Sequence, residues 1–184
     1  GRLSGTQKNI HDLVAQVQSE AIAGARPGVS YAQLHLGAQR ALAEGLLNLN
    51  LLVGELDGLV ESGVARRFFP HGLGHLLGLD VHDMEDLGDR AGLKEPEQER
   101  AAGLEFLRFD RPLEENMVLT VEPGFYQIPA LLNELRADQL LAKSVNWTEL
   151  AQYEDVSGIR IEDNIRITSE APEVLSAPGS KSSR

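Results

Sequence analysis

The sequence has 184 residues, of which 42% are hydrophobic, and it carries a formal net charge of −11 at pH 7. This length accommodates one domain with a substantial core, and the hydrophobic fraction excludes disorder as the general state of the chain. The negative charge argues against a nucleic-acid partner, and the absence of cysteine excludes a disulfide scaffold and thiolate chemistry.

The first third of the chain predicts three helices. Ser4–Gln7 has the pattern of a capping box at the start of the first helix, and the Pro-Gly pair at 27–28 ends it. A second helix is predicted over 31–44, with Gly45 at its end. The segment GELDGLVESG, residues 54–63, predicts a short third helix.

Strand patterns dominate the rest of the chain. They occur at 66–71 (RRFFPH), 116–128 (NMVLTVEPGFYQI) and 158–168 (GIRIEDNIRIT), where isoleucines alternate with polar residues. A partly helical connection is predicted over 130–152, between the second and third patterns. Because helices come first and strands later, the sequence predicts an α+β domain with an antiparallel sheet.

Three of the five histidines lie in the segment HGLGHLLGLDVHD, residues 71–83. In an extended chain His71 and His75 point to the same side, because alternate residues of a strand share a face. Gly72 and Gly74 then leave the other side bare for a close approach. A single histidine is more often a hydrogen-bonded structural residue, but three in this window predict a functional site.

Two glutamates belong to strand patterns. Glu122 follows an apolar run and precedes Pro123–Gly124, which are predicted to end the strand. It either faces solvent at an edge or is buried beside a cation. Arg160 and Glu162 share one strand face, which is also the pattern of an ordinary polar face. One histidine and two glutamates form a plausible nitrogen and oxygen ligand set for Mn²⁺, Zn²⁺ or Co²⁺, and the excess of oxygen favours Mn²⁺.

The motifs HGLGHLLGLDVHD, LTVEPGFY and GIRIEDN, in this order and at this spacing, resemble those of the pita-bread metallopeptidases that cleave beside proline. That group includes Xaa-Pro dipeptidase (prolidase) and aminopeptidase P. The resemblance extends from residue 1 to about residue 168. It implies a curved antiparallel sheet covered by helices, with two divalent metal ions, Mn²⁺ before Zn²⁺ or Co²⁺, at its centre.

The resemblance also assigns roles to individual residues. It implies three metal ligands, namely His75, Glu122 and Glu162. It implies that His71 and His82 face the substrate and stabilise the tetrahedral intermediate or transfer protons. Arg160 would line the same pocket or hold a carboxylate in place.

Arg108 lies in the segment LRFDRPLEENMVLTVEPG and resembles the arginine with which prolidases bind the free carboxylate of the substrate. An ordinary surface arginine is the alternative. The segment 131–150 also resembles bacterial prolidases, so we expect hydrolysis of Xaa-Pro dipeptides. Three alternatives stay open: an aminopeptidase P acting on longer peptides, a non-catalytic pita-bread protein that binds a partner through this pocket, and a creatinase-like amidinohydrolase.

The family has two further aspartate ligands on a strand pair upstream. Before His71 the sequence has Asp12 and Asp57, which fall in predicted helices and cannot form that pair. We therefore expect 1–174 to be the C-terminal part of the catalytic domain, inactive alone, and 175–184 to be a disordered tail. As partners we expect the N-terminal portion of the same protein, a second copy in a homodimer and the dipeptide, in the cytoplasm and without a membrane.

Overall fold

Three helices form the first part of the chain in the computed structural model, which describes residues 2–84 and 102–176. They are α1 (Gly5–Gly24), α2 (Tyr31–Asn48) and α3 (Leu56–Ser62). The predicted capping box is confirmed, because the Ser4 hydroxyl accepts from the Gln7 N–H and the Gln7 side chain accepts from the Ser4 N–H, both at 3.1 Å. The tail predicted at 175–184 lies outside the described residues from 177 onward.

Helix α2 does not end at Gly45, and that prediction is wrong. The helix continues to Asn48, with Gly45 in its last turns and facing α1. A β-carbon at position 45 would overlap the side chain of Leu13. The glycine is therefore needed because the two helices approach closely, and a sequence pattern cannot distinguish this use from a helix end.

The strand predicted at 66–71 is also wrong. Residues Ala65–Phe68 form a 3₁₀ turn, and both Phe68 and Phe69 are buried. The Phe68 ring stacks on Phe125, with 5.5 Å between the ring centroids. A strand would direct two consecutive side chains to opposite faces, whereas the turn lets both enter one core.

Each of the two later strand patterns forms two strands instead of one. The strands are β1 (Val118–Val121), β2 (Gly124–Tyr126), β3 (Gly158–Arg160), β4 (Asp163–Arg166) and β5 (Glu173–Val174). All pairs are antiparallel, in the orders β1-β4-β5 and β2-β3. The strand that leads to Glu122 ends before Pro123–Gly124 as predicted, but a second strand, β2, begins at Gly124. The interruption comes at Pro123, which has no N–H for the ladder.

The connection between β2 and β3 is partly helical, as predicted. It contains α4 (Pro129–Ala137) and α5 (Trp147–Leu150), with 3₁₀ turns at Leu141–Ser144 and Ala151–Tyr153. One contiguous hydrophobic core joins the helices to the strands. No helix within 2–84 or 102–176 is long and apolar enough to cross a membrane.

Candidate metal centre

The histidine segment lies extended beside strand β1. The N–H of Thr120 donates to the carbonyl of His75 at 2.9 Å, and the N–H of Glu122 donates to the carbonyl of Leu73 at 2.8 Å. These two bonds fix the register of the histidine segment against β1. They place His75 beside the end of β1, where Glu122 follows.

Gly72 and Gly74 permit this close packing. A β-carbon on Gly74 would overlap the carbonyl of Thr120 and meet the hydroxyl of Tyr31, and one on Gly72 would lie 2.8 Å from the carbonyl of Phe106. The Tyr31 hydroxyl itself donates to the Thr120 carbonyl at 2.7 Å. The bare side predicted for this segment is therefore occupied by the protein's own backbone, which fixes the histidines on the opposite side.

Three side chains meet where the strands are interrupted. His75, Glu122 and Glu162 each offer a ligand atom, and these atoms lie within 4.8 Å of one another. His75 and Glu122 are buried, and Glu162 is exposed. Two ligand atoms of one divalent ion, each about 2.0–2.2 Å from it, are at most about 4.4 Å apart, so the group has the composition for one ion and a size close to what one ion requires.

The orientation of His75 supports this fit. Its Nδ1 lies 2.9 Å from the carbonyl of Leu76, an acceptor, so Nδ1 carries a proton and donates it. Nε2 then points at Oε1 of Glu122, 3.4 Å away. In the neutral ring these are two electron-rich atoms facing each other, and a cation between them would stabilise the pair. A backbone carbonyl that orients a ligand histidine in this way is common in metal sites.

Glu122 is buried beside a cation, which was one of the two alternatives that its sequence left open. Its side chain is held from two sides: the Thr120 hydroxyl donates to Oε1 at 3.1 Å, and Nη1 of Arg160 donates to Oε2 at 3.0 Å. The same Thr120 hydroxyl accepts from the N–H of His75 at 3.0 Å. The carboxylate is therefore oriented before any ligand arrives.

A second chain of hydrogen bonds joins Arg160 to His71 through Tyr126. Nε of Arg160 donates to the Tyr126 hydroxyl at 2.6 Å, and that oxygen lies 3.1 Å from Nε2 of His71. Nδ1 of His71 lies 2.8 Å from the carbonyl of Gly72 and therefore donates to it. In the neutral ring Nε2 consequently accepts the hydroxyl proton of Tyr126.

Sequence reasoning did not identify Tyr126. Its ring covers one glycine of β2 and one of β3, since a β-carbon on Gly124 or Gly158 would lie 2.6 Å or 2.8 Å from it. The two glycines are visible in the sequence, but they indicate room for an aromatic ring only when the pairing of the strands is known. The tyrosine belongs to the site because it connects His71 to Arg160.

Burial lowers the pKa of His71 below its ordinary value. The hydrogen bond to the carbonyl of Gly72 acts in the opposite direction, and the nearby charge of Arg160 lowers the pKa further. His71 is therefore neutral near pH 7. A neutral imidazole in this position can accept a proton at Nε2.

A cavity of about 530 Å³ opens beside His75 and Glu122, which line part of its wall. It is lined by six of the predicted site residues, namely His71, His75, His82, Arg108, Glu122 and Arg160. The exposed His82 places its ring edge-on against His75, with 4.3 Å between centroids. The fold thus brings these six residues to one cavity, with Glu162 in the ligand group at its side.

The sequence is similar to known proteins along most of its length. A family model described as metallopeptidase family M24 matches residues 1–169. The Xaa-Pro dipeptidase of Shewanella halifaxensis is 45% identical over 166 residues, which are 86% of this chain and 36% of that protein. The Xaa-Pro dipeptidase of Shewanella loihica is 45% identical over 171 residues, 89% of this chain and 38% of that protein. The chain thus spans somewhat more than a third of the length of these relatives.

Similar folds occur among solved structures. Zinc-substituted aminopeptidase P of E. coli in complex with product is 34% identical, with a TM-score of 0.69. The match covers 96% of this chain and 32% of that one. The structure of the same enzyme with the inhibitor Pro-Leu gives the same values. The predicted pita-bread architecture, incomplete in this chain, is confirmed.

Proposed function

The chain belongs to metallopeptidase family M24, and on this premise we propose that its protein hydrolyses Xaa-Pro dipeptides with two divalent metal ions. The single observation that carries the proposal is the group formed by His75, Glu122 and Glu162, whose ligand atoms lie within 4.8 Å of one another beside a cavity. The identity to Xaa-Pro dipeptidases supports the choice of substrate.

His75, Glu122 and Glu162 would hold one ion as an open site with three protein ligands. Bound divalent ions supply Lewis acidity toward the scissile carbonyl and an activated water. The oxygen-rich donor set favours Mn²⁺, with Zn²⁺ and Co²⁺ as alternatives. The second ion of the proposal needs ligands beyond these three.

The other residues of the cavity have separate tasks in this proposal. Arg160 keeps the Glu122 carboxylate oriented through its hydrogen bond to Oε2. His71, neutral because burial lowers its pKa, holds or accepts a proton at Nε2, which Tyr126 already contacts. His82, at the exposed side of His75, faces the substrate and stabilises charge that develops on it.

Arg108 supports a dipeptide as the substrate. It is exposed on the wall of the cavity, where a planar guanidinium can bind a carboxylate through two parallel hydrogen bonds. In an Xaa-Pro dipeptide the proline carries the free carboxylate. In a longer peptide an amide takes that place, and the charge that Arg108 would bind is absent.

The test is a substrate and metal panel on the complete protein that contains this chain. After treatment with a chelator, hydrolysis of Gly-Pro should be lost, and added Mn²⁺ should restore it. The variant His75→Ala should not recover, whereas His11→Ala, which changes a histidine on α1 beside Asp12, should behave as the unchanged protein does. Full activity in a rigorously metal-free preparation would contradict the proposal.

Aminopeptidase P activity is the second candidate, because the structures of that enzyme match 96% of this chain. The same panel separates the two activities when Gly-Pro-Gly is included. Faster cleavage of the tripeptide than of Gly-Pro would favour aminopeptidase P. Tight metal binding without cleavage of either peptide would favour a non-catalytic pita-bread protein.

A further inference from the structure

Gln18 is a fully buried polar residue on the inner face of helix α1. Its neighbours on that face are apolar, and its own exposure is 0%. The side-chain nitrogen Nε2 donates two hydrogen bonds of 3.0 Å each, one to the carbonyl of Val121 and one to the carbonyl of Ile161. Since carbonyl oxygens only accept, the amide must present its NH₂ group to them, which fixes its orientation.

The two carbonyl groups belong to the residues directly before two candidate ligands. Val121 precedes Glu122, and Ile161 precedes Glu162. Both lie at the interruption of the sheet, where the β1–β4 ladder ends and the β2–β3 ladder begins at the pair Gly124–Arg160. The register is unchanged across the interruption, where the N–H of Ile161 donates to the carbonyl of Pro123 at 3.3 Å. Pro123 has no N–H to return this bond, so the two hydrogen bonds from Gln18 supplement a weakened ladder there.

We propose that Gln18 is the positioning residue of the metal centre. One nitrogen atom on helix α1 bridges both strands at the gap between the ladders and thereby reinforces the spacing of the backbones that carry Glu122 and Glu162. The inference rests on the proposed metal function of these glutamates. Gln18 lines no part of the cavity and acts only through the two carbonyl groups.

The side chain at position 18 must satisfy a narrow requirement. It must carry two N–H groups on one atom, remain uncharged in an apolar helix interface and reach both carbonyls. Asparagine has the same amide but one methylene less, and methionine has nearly the same length but no N–H. A variant with asparagine therefore tests the length of the side chain, and a variant with methionine tests its hydrogen bonds.

A second buried glutamine provides the matched control. Gln39 lies on α2, is also buried, and donates to the carbonyl of Gly103 at 3.1 Å, away from the glutamates. Replacing either glutamine removes buried hydrogen bonds and should lower the stability. Only replacement of Gln18 should change the metal site.

The experiment uses the complete protein that contains this chain, with the variants Gln18→Met, Gln18→Asn and Gln39→Met. Binding of Co²⁺ is measured by calorimetry and by the visible absorption of the ion, at a temperature where circular dichroism finds each variant folded. We expect both Gln18 variants to bind Co²⁺ about 10–100-fold more weakly, with an altered absorption band. Gln39→Met should keep the affinity and the band of the unchanged protein.

Gln18→Asn retains a polar amide and is the milder change, so it carries the test where Gln18→Met does not fold. The inference is overturned when Gln18 variants keep the affinity and band of the unchanged protein while losing stability as Gln39→Met does. It is also overturned when the unchanged protein binds no Co²⁺. When the unchanged protein binds Co²⁺ but cleaves no Xaa-Pro peptide, the proposed activity fails and the positioning role of Gln18 stands.

Discussion

Arg160 and Glu122 are joined by a hydrogen bond of 3.0 Å between Nη1 and Oε2, on the side of the carboxylate that faces away from His75. Glu122 is only 7% exposed, so its charge has lost most of its hydration. The guanidinium replaces part of that hydration and leaves Oε1 directed at His75. The arginine thus holds a candidate ligand in place.

Replacing Arg160 with methionine should weaken the metal site. Loss of the bond to Glu122 frees the carboxylate to rotate, and changes to such supporting groups typically reduce metal affinity or activity by about 10–100-fold. Arg166→Met is the matched control, since Arg166 lies on β4 and pairs with Glu173 at the surface. Calorimetric titration with Mn²⁺ measures the effect, and equal losses in both variants would contradict it.

Replacing Arg108 with alanine should raise KM for Xaa-Pro dipeptides far more than KM for carboxy-blocked substrates. A hydrogen bond to a charged group contributes about 1.5–3 kcal/mol, which corresponds to roughly 10- to 150-fold. Arg111→Ala, which changes an arginine paired with Glu114 nearby, serves as the control. Equal effects on free and blocked substrates would show that Arg108 does not bind the carboxylate.

His35 should make the folded state less stable in mild acid. Burial lowers its pKa from 6.5 to about 4, so between these values the unfolded chain binds more protons than the folded one. Above pH 6.5 His35 is neutral in both states and does not lower the free energy of unfolding. As the pH falls from 6.5 toward 4, the free energy of unfolding decreases by roughly 3 kcal/mol in total.

Urea unfolding of the chain and of His35→Gln at several pH values measures this contribution. The difference in unfolding free energy between the two proteins should change by that amount across the window, while carboxylates that titrate in both proteins cancel. A difference that does not vary with pH between 4 and 6.5 would exclude His35 as the cause.

Two glycines of α2 should respond in opposite ways to alanine. Gly45→Ala places a methyl group against Leu13 and should destabilise the protein by about 1–3 kcal/mol. Gly37→Ala meets no atom within 4 Å and should stabilise by up to about 1 kcal/mol, since alanine is the better helix former. Urea unfolding measures both, and a Gly45→Ala variant as stable as Gly37→Ala would show that the helices can separate freely.

A polypeptide of residues 1–184 alone should bind a divalent ion weakly and leave Gly-Pro uncleaved. The proposed mechanism uses two ions, whereas the ligand group gathered among the described residues offers His75, Glu122 and Glu162. The measurement adds Mn²⁺ to the purified polypeptide and follows Gly-Pro hydrolysis. Turnover comparable with that of an intact prolidase would mean that other residues supply the remaining ligands.

Local patterns predicted those features that depend on neighbouring residues. The capping box at Ser4 and the alternation of isoleucines near Ile161 depend only on spacing, and both are found. The interruptions at Pro123 and Glu162 were missed because the two segments keep the same register and the same alternation of side chains, and only ladder hydrogen bonds are lost beside Pro123, which has no N–H. The alternation of side chains therefore carries no sign of the break.

The supporting residues were missed for a related reason. Tyr126 and Gln18 have ordinary positions in their own segments, and their importance lies in contacts with strands far along the chain. The candidate ligands were predictable through the resemblance of their motifs. The groups that orient them belong to tertiary contacts and required the structure.

The inward and outward alternation of residues 158–167 continues through the interruption between β3 and β4. Ile161 and Asp163 point inward on either side of Glu162, and Ile165 follows in the same phase. A one-residue insertion within 160–163 would turn either the glutamate or the whole of β4 to the wrong face. The outward positions Asn164 and Arg166, which lie outside the ligand group, are therefore expected to accept substitutions more readily than the segment accepts a one-residue change in length. An extra residue between α4 and α5 leaves both strands in phase.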